Sequence, residues 1–422
     1  MTKTQHEQDL MACVHCGLCL PSCPTYLETG SEADSPRGRI VLMRQMHEGR
    51  LSPADPDVTR HLDLCLGCRA CETACPSAVP YGRLLEMARE RILAKRVRPA
   101  LTDASRSALL GTLTQPKRMT IALRMAQATT GGAVPAPALR LLSGSASAAS
   151  QTPLPPETLS PPLPPVITPA AGVKRARVGV LSGCAMRVLF GDVNADTVRA
   201  LAANGCEVLV NRRQGCCGAL HGHNGYGDET RVLARSLIDA FTPLNGLDAI
   251  VVNSAGCGSQ MKDYGRLLAD DPAYAAKASA FAAKVRDVSE WLDELGWVAP
   301  LKPASETPMT MTYHDACHLV HGQGVRDAPR ALLARLPGTR WVPLPESEVC
   351  CGSAGIYNFT EPDMARRLQA RKLDNILSTG ASVIATGNPG CLAWIASGLK
   401  ERGLPDIRVA HPVTLLAEAL DT

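Results

Sequence analysis

The residues CVHCGLCLPSCP at 13–24 and CLGCRACETACP at 65–76 decide how this chain is read. Each sets four cysteines in the order C-x2-C-x2-C-x3-C-P: Cys13, Cys16, Cys19 and Cys23 before Pro24, then Cys65, Cys68, Cys71 and Cys75 before Pro76. Three thiolates at three-residue intervals let one tight loop wrap three corners of a cubane iron–sulfur cluster, while the fourth, followed by a proline that turns the chain away, reaches the other cluster. The spacing predicts two 4Fe-4S clusters. The first is expected on Cys13, Cys16, Cys19 and Cys75, the second on Cys65, Cys68, Cys71 and Cys23. Zinc is the alternative occupant of paired CxxC motifs, but it takes four ligands, whereas eight stand here in two identical registers.

Working outward, the 41 residues between the motifs include SPRGRIVLMRQMHEGR, with Pro36 near a first turn and Ile40, Met43 and His47 on one helical face. YGRLLEMARERIL follows the second motif and carries Leu85, Ala88 and Ile92 at helical spacing. Helices framing both motifs predict an all-helical two-cluster ferredoxin domain over residues 1–100. Arg37 and Arg39 are surface charges on the plain reading. On the sharper one they lie over a cluster or partner edge and oppose its negative charge.

The rest of the 422-residue chain is bounded by its composition. With 45% hydrophobic and 20% charged residues it is globular, and its length predicts two to four domains. The formal charge of +4 is too small to make a phosphate backbone its main partner, so nucleic acid is not expected. No stretch approaches 18 uninterrupted apolar residues and Met1–Leu10 is polar, so neither a membrane span nor a secretory signal is expected. In the reducing compartment this implies, 17 cysteines read as metal ligands rather than cystines. Residues 101–172 read as helical at first, then as a Ser-, Ala- and Pro-rich linker containing PLPPETLSPPLPP.

Beyond the linker, β-branched runs such as ARVGVLSG, CEVLVN, AIVVNSAG, MTMTYHDA and SVIATGNPG alternate with amphipathic segments, the rhythm of an α/β fold with mainly parallel strands. The pattern occurs twice. From Cys184, 31 residues lead to Cys216-Cys217-Gly218 and 39 more to Cys257; from Cys317, 32 lead to Cys350-Cys351-Gly352 and again 39 to Cys391. This duplication predicts a first repeat over 173–305 and a second over 306–422. Adjacent cysteines before glycine suggest tight loops presenting thiolates together to a soft metal, converging where strand ends meet. Cys184, Cys216, Cys217, Cys257, Cys317, Cys350, Cys351 and Cys391 are thus candidate ligands of additional redox centres. Cys206 has no counterpart and reads as a buried small hydrophobe. His221, His223, His314, His318 and His321 near these loops read as polar loop residues, with replacement ligands or proton carriers as the functional alternative.

The paired CCG loops resemble the cysteine-rich domain of heterodisulfide reductase B and D subunits. The whole plan, with CVHCGLCLPSCPTY, SPRGRI, HLDLCLGCRACETACPS, GCCGA, SAGCGS and VCCGSAG, resembles the iron–sulfur subunits of the glycolate oxidase family over nearly the full chain. It departs from the heterodisulfide reductase pattern where a closing CxxC would fall, at Gln260 and Trp394. The resemblance implies an iron–sulfur electron-transfer subunit of a hetero-oligomer, taking electrons from FAD-binding partner subunits that oxidise glycolate to glyoxylate and passing them toward membrane quinone. A cytoplasmic location, peripheral on the inner face of the membrane, goes with it. No GxGxxG or P-loop is present, so the chain alone is expected to lack the dehydrogenase activity. The C subunit of anaerobic glycerol-3-phosphate dehydrogenase and a lactate-utilisation subunit are the rivals within this class; a zinc-stabilised scaffold is the rival outside it.

Overall fold

The computed structural model describes residues 3–95, 98–143, 163–169, 173–303 and 308–421. In its N-terminal part each helix starts where local chemistry satisfies free backbone donors. Ser35 accepts a hydrogen bond from the Gly38 amide with Pro36 in the first turn, opening helix Pro36–His47. Asp55 caps helix Pro56–Asp63 through the amides of Asp57 and Val58. Helix Tyr81–Ala94 buries Leu84, Leu85, Ala88 and Ile92. Ile40, Met43, Met46, Val58 and Leu62 join them in one core, and Cys65 and Cys71 are packed into it. His47 is only half-buried and meets the ring of His6 edge-on at 5.0 Å.

Ala100–Leu113, Pro116–Thr130 and Ala136–Ser143 are helices, the last two burying Met119, Leu123, Leu139 and Leu142. Met119 and Leu123 pack against Val188 of the first α/β unit. The part of the expected linker at 144–162 and 170–172, including most of its proline run, lies outside the described residues. Val166–Ile167 (β1), at the end of that stretch, joins the first sheet antiparallel to its neighbour.

The first sheet adds Ala176–Leu181 (β2), Cys206–Leu209 (β3), Ala249–Val252 (β4) and Val285–Asp287 (β5) in the order β1-β3-β2-β4-β5, parallel apart from β1. The second contains Met309–Tyr313 (β6), Thr339–Trp341 (β7), Val383–Ala385 (β8) and Arg408–Ala410 (β9) in the order β7-β6-β8-β9, all parallel. Omitting β1, the two orders are the same, so the cysteine repeat is a repeat of topology. Val178 and Val180 of the first sheet and Met311 and Val383 of the second share one core. Cys206 is fully buried there.

The helical N-terminal part rests on both units. Arg89 donates to the His223 carbonyl at 2.7 Å and Arg69 to Ser259 Oγ at 3.3 Å in the first. Tyr357 of the second donates to the Leu64 carbonyl at 2.8 Å, and Leu66, Cys68 and Ala70 share a core with Cys350, Cys351 and Cys391. The second CxxC motif therefore sits at the seam where all three parts meet.

Candidate metal centres

Both N-terminal loops turn in the same way. The second residue after the first cysteine and the residue after the second cysteine are left-handed in each: His15 (φ 57°) and Gly17 (φ 86°), then Gly67 (φ 65°) and Arg69 (φ 65°). Repeating positive φ at alternate residues curls the chain so that the thiols between them point to one side. One small cavity is lined by Cys13, Cys16, Cys19 and Cys75, with Arg37 at its edge. A second is lined by Cys23, Cys65, Cys68 and Cys71, with Arg39. Each gathers three thiols from one loop and at least one from the other, a donor set that fits a thiolate-held cluster. Cys71 lines both cavities.

Arg37 and Arg39 differ sharply. Arg37 is partly exposed, pairs with Glu32 at 2.7 Å and donates to the His15 carbonyl at 3.1 Å. Arg39 is fully buried and donates to Cys23 Sγ at 3.9 Å, Thr25 Oγ1 at 3.0 Å and the His61 carbonyl at 2.7 Å. Asp34 faces it at 3.7 Å and also meets His61 Nδ1 at 2.6 Å. Burial works against the Arg39 charge, but Cys65, Tyr81, Cys23 and Asp34 outweigh it and hold the guanidinium protonated. Conversely, burial would raise the Cys65 thiol, yet Arg39 and Arg89 bring it below its ordinary value. Tyr81 Oη and the Gly67 amide donate to Cys65 Sγ at 3.5 and 3.4 Å. Nothing in the spacing marked Thr25, Asp34, His61 or Tyr81 as members of this site.

The repeat cysteines lie after the C-terminal ends of the parallel strands. Cys184 and Cys257 follow β2 and β4, and Cys317 and Cys391 follow β6 and β8. The pairs follow β3 and β7, just before Gly218 (φ 85°) and Gly352 (φ 93°). A side chain at Gly218 would meet Thr230 at 3.2 Å and one at Gly352 the Ala365 carbonyl at 2.6 Å, so conformation and space both demand glycine. Cys184 Sγ lies 3.5 Å from Cys216 Sγ. Hydrogen bonds from Cys184 and Cys217 hold Cys216 well below the usual thiol range, and those of Cys350 and Cys391 do the same for Cys351. In the second repeat the ligand atoms of His314, Cys351 and Cys391 lie within 4.8 Å of one another, and His314 Nδ1 meets the Ser347 carbonyl at 2.9 Å. Where a closing CxxC cysteine would fall stand Gln260 and Trp394, both buried.

Both four-cysteine sets open onto one cavity of about 610 Å³, whose wall also includes Cys65 and Leu66 from the rim of the second small cavity. The three cavities thus share walls in sequence, through Cys71 and then Cys65. The other histidines tie the parts together. His223 Nδ1 meets Glu86 at 2.8 Å, His318 Nε2 the Gly67 carbonyl at 3.0 Å, and His321 Nδ1 Thr73 Oγ1 at 2.9 Å. His221 sets its ring edge-on to Tyr226.

Comparison with known proteins places this geometry. Residues 9–79 match the 4Fe-4S dicluster domain family, and residues 178–262 and 311–396 match the cysteine-rich CCG domain. The chain is 38% identical to the probable glycolate oxidase iron–sulfur subunit of Bacillus subtilis and 35% identical to the glycolate oxidase iron–sulfur subunit of Escherichia coli, each alignment covering 98% of this chain and 94% of the relative. It is 32% identical to lactate utilization protein A of an Exiguobacterium species, over 58% of this chain and 98% of that protein.

Proposed function

The chain belongs to the glycolate oxidase iron–sulfur subunit family, and from that premise we propose that it is the electron-carrying subunit of a complex that oxidises glycolate to glyoxylate in FAD-binding partner subunits and passes the electrons toward membrane quinone. In this reading residues 1–100 form an all-helical two-cluster ferredoxin domain, 101–172 a helical segment and linker, and 173–305 and 306–422 the two CCG repeats. Bound on their thiolates, iron–sulfur clusters supply one-electron transfer, the chemistry needed between a two-electron flavin and a distant acceptor.

The observation that carries the reading is the run of shared walls. Cys13, Cys16, Cys19 and Cys75 hold the first cluster, and Cys65, Cys68, Cys71 and Cys23 the second. Cys71 borders both sites and Cys65 borders the cavity of the CCG cysteines, so successive carriers stand next to one another. Arg39, Tyr81 and the Gly67 amide stabilise negative charge on the second set of sulfurs. Cys184, Cys216, Cys217 and Cys257, together with Cys317, Cys350, Cys351 and Cys391, hold a further iron–sulfur centre in at least one repeat. His314 supports the second, since its ring nitrogen gathers with the sulfurs of Cys351 and Cys391.

The two ends of this run suit different partners. Cys16 is exposed, and beside it Val14 and Leu18 are 69% and 59% exposed, an apolar surface for the flavoprotein. At the other end, among the described residues no helix is long and apolar enough to cross a membrane. Helix Pro116–Thr130 instead carries Lys117, Arg118 and Arg124, no acidic residue, and exposed Ile121 and Met125, a face suited to resting on an anionic lipid surface. This supports a peripheral position on the inner face of the membrane. Lactate is the alternative substrate, favoured by the likeness to lactate utilization protein A; the choice lies in the flavoprotein.

The test is reconstitution. The chain prepared without oxygen should bind at least about eight irons and reduce no dye with glycolate. With its flavoprotein, glycolate should reduce its clusters. Cys217→Ala and Cys351→Ala should each lose iron or change the low-temperature paramagnetic spectrum. Full iron and unchanged quinone reduction in both variants would make the CCG loops structural.

A further inference from the structure

The 610 Å³ cavity is larger than the cysteines explain. Metal centres on the thiolates would fill the end that Cys184, Cys217, Cys317 and Cys351 line. They would leave the part of the wall formed by Leu109, Leu113, Met119, Leu123, Ala126 and Leu142, an apolar arm bordered by Arg98 and Arg106 and without a cysteine. An apolar chamber of this size with a few polar groups at one end is the usual form of a small-molecule site. Its polar groups include one free donor and one free ring nitrogen. Trp394 lines the cavity, is 5% exposed, and keeps its indole N–H buried without a hydrogen-bond partner. His223 lines it too, with Nε2 buried and unpartnered and Nδ1 bonded to Glu86, whose side chain is 28% exposed.

The arm also lies behind a surface of distinctive character. Helix Pro116–Thr130 contributes Met119, Leu123 and Ala126 to the cavity and turns Ile121 and Met125, 59% and 64% exposed, outward. Between Ala104 and Pro156 the sequence has no acidic residue. One helix thus separates a face suited to lipid from a chamber suited to an apolar chain.

We propose that this cavity is the binding site of a lipid-soluble quinone, with its ring between the two CCG cysteine sets and its apolar tail in the arm beneath helix Pro116–Thr130. The proposal rests on the electron-carrier reading above and deepens it by giving that carrier's acceptor a place in this chain. The chemistry balances. The ring takes two electrons, delivered singly, that were released when the 2-hydroxy acid became a 2-oxo acid in the flavoprotein. Its two carbonyl oxygens take two protons from solvent, for which the Glu86–His223 contact is one route inward, and the product is the hydroquinone. Trp394 positions one carbonyl through its N–H.

The test uses the full iron-loaded chain with decylubiquinone and its tail-less parent, 2,3-dimethoxy-5-methylbenzoquinone. Binding is read by quenching of tryptophan fluorescence and by photolabelling with an azido-decylubiquinone followed by peptide mapping. The decyl compound should bind about ten-fold tighter or better, because the tail is what the arm buries, and the label should fall within residues 109–142 or near Trp394. Ala126→Trp, which fills the arm, should cut decylubiquinone affinity about ten-fold and leave the tail-less quinone nearly unaffected. Ala122→Trp, also on the cavity wall, is the second variant should the first fold poorly. Label elsewhere, equal affinities for both quinones, or equally strong competition by decanoate would overturn the site. If the site fails while glycolate with flavoprotein still reduces the clusters, the carrier reading stands. If the clusters are never reduced that way while quinone binds as stated, the carrier reading is what fails.

Discussion

Replacing Arg39 by glutamine should lower the midpoint potential of one N-terminal cluster and leave the other nearly unmoved. Arg39 is fully buried, so its charge acts with little solvent screening, and its Nη1 lies 3.9 Å from Cys23 Sγ. At an effective dielectric constant of about 20, a unit charge at that separation interacts by about 4 kcal/mol. An electron added to a four-iron cluster is shared among its corners, which leaves about 1 kcal/mol for this sulfur, or about 45 mV for a one-electron couple. Cys65 also faces the guanidinium, so the total fall should lie between about 45 and 90 mV. The variant also removes the buried cation facing the Asp34 carboxylate, which keeps its closer contact to His61, so a loss of about 1–3 kcal/mol in stability is expected. Asp34→Asn keeps the cation and removes the opposing anion, so it should raise the same potential. The assay is a paramagnetic redox titration of the full chain, with the affected signal identified as the one altered in Cys23→Ser. Midpoints of Arg39→Gln and Asp34→Asn that both coincide with the parent, with iron retained, would refute the reasoning.

Three other outcomes are expected. Val14→Glu with Leu18→Glu should weaken flavoprotein association, seen as slower cluster reduction by glycolate at limiting partner, while chemical reduction of the clusters is unchanged. Arg98 makes a two-pronged bond to Asp63, Nη2 donating to Oδ1 at 2.7 Å and Nε to Oδ2 at 3.0 Å, so Arg98→Ala should cost about 3 kcal/mol in denaturant unfolding, because a half-buried carboxylate loses its main partner; Arg98→Lys should recover part of it. Asp287 is buried as the N-cap of helix Val288–Leu295, and burial pushes its carboxyl up to about 7. With the folded value raised above the unfolded one, its contribution is fully present below pH ~4 and is lost as pH rises through about 7. Asp287→Asn keeps the cap and should flatten that slope, with a relative gain of roughly 2–4 kcal/mol at pH 8 that is absent at pH 4; equal melting shifts at both values would count against it.

What the sequence determined by itself was whatever depends on neighbours along the chain. The spacing within 13–24 and 65–76 dictates how many thiols one loop can offer, and the 39-residue interval after each cysteine pair announces a duplicated unit, because strand, loop and helix lengths repeat with it. That the two sheets share one strand order follows from the same duplication; which order it is came from the structure. What only the tertiary structure decided was which of these local pieces face each other. Arg37 and Arg39 are two residues apart with the same charge, yet one is partly exposed and the other fully buried beside Cys23, because helix Pro36–His47 turns a single face to the core. His318 and His321, read beside Cys317 as loop residues or ligands, instead bond to Gly67 and Thr73 of the N-terminal part. The stretch read as helical ahead of the linker supplies three helices, all of which wall a cavity shared with cysteines more than forty residues further on. Such meetings are set by burial of apolar faces between distant segments, and periodicity marks a face as apolar without naming what will cover it.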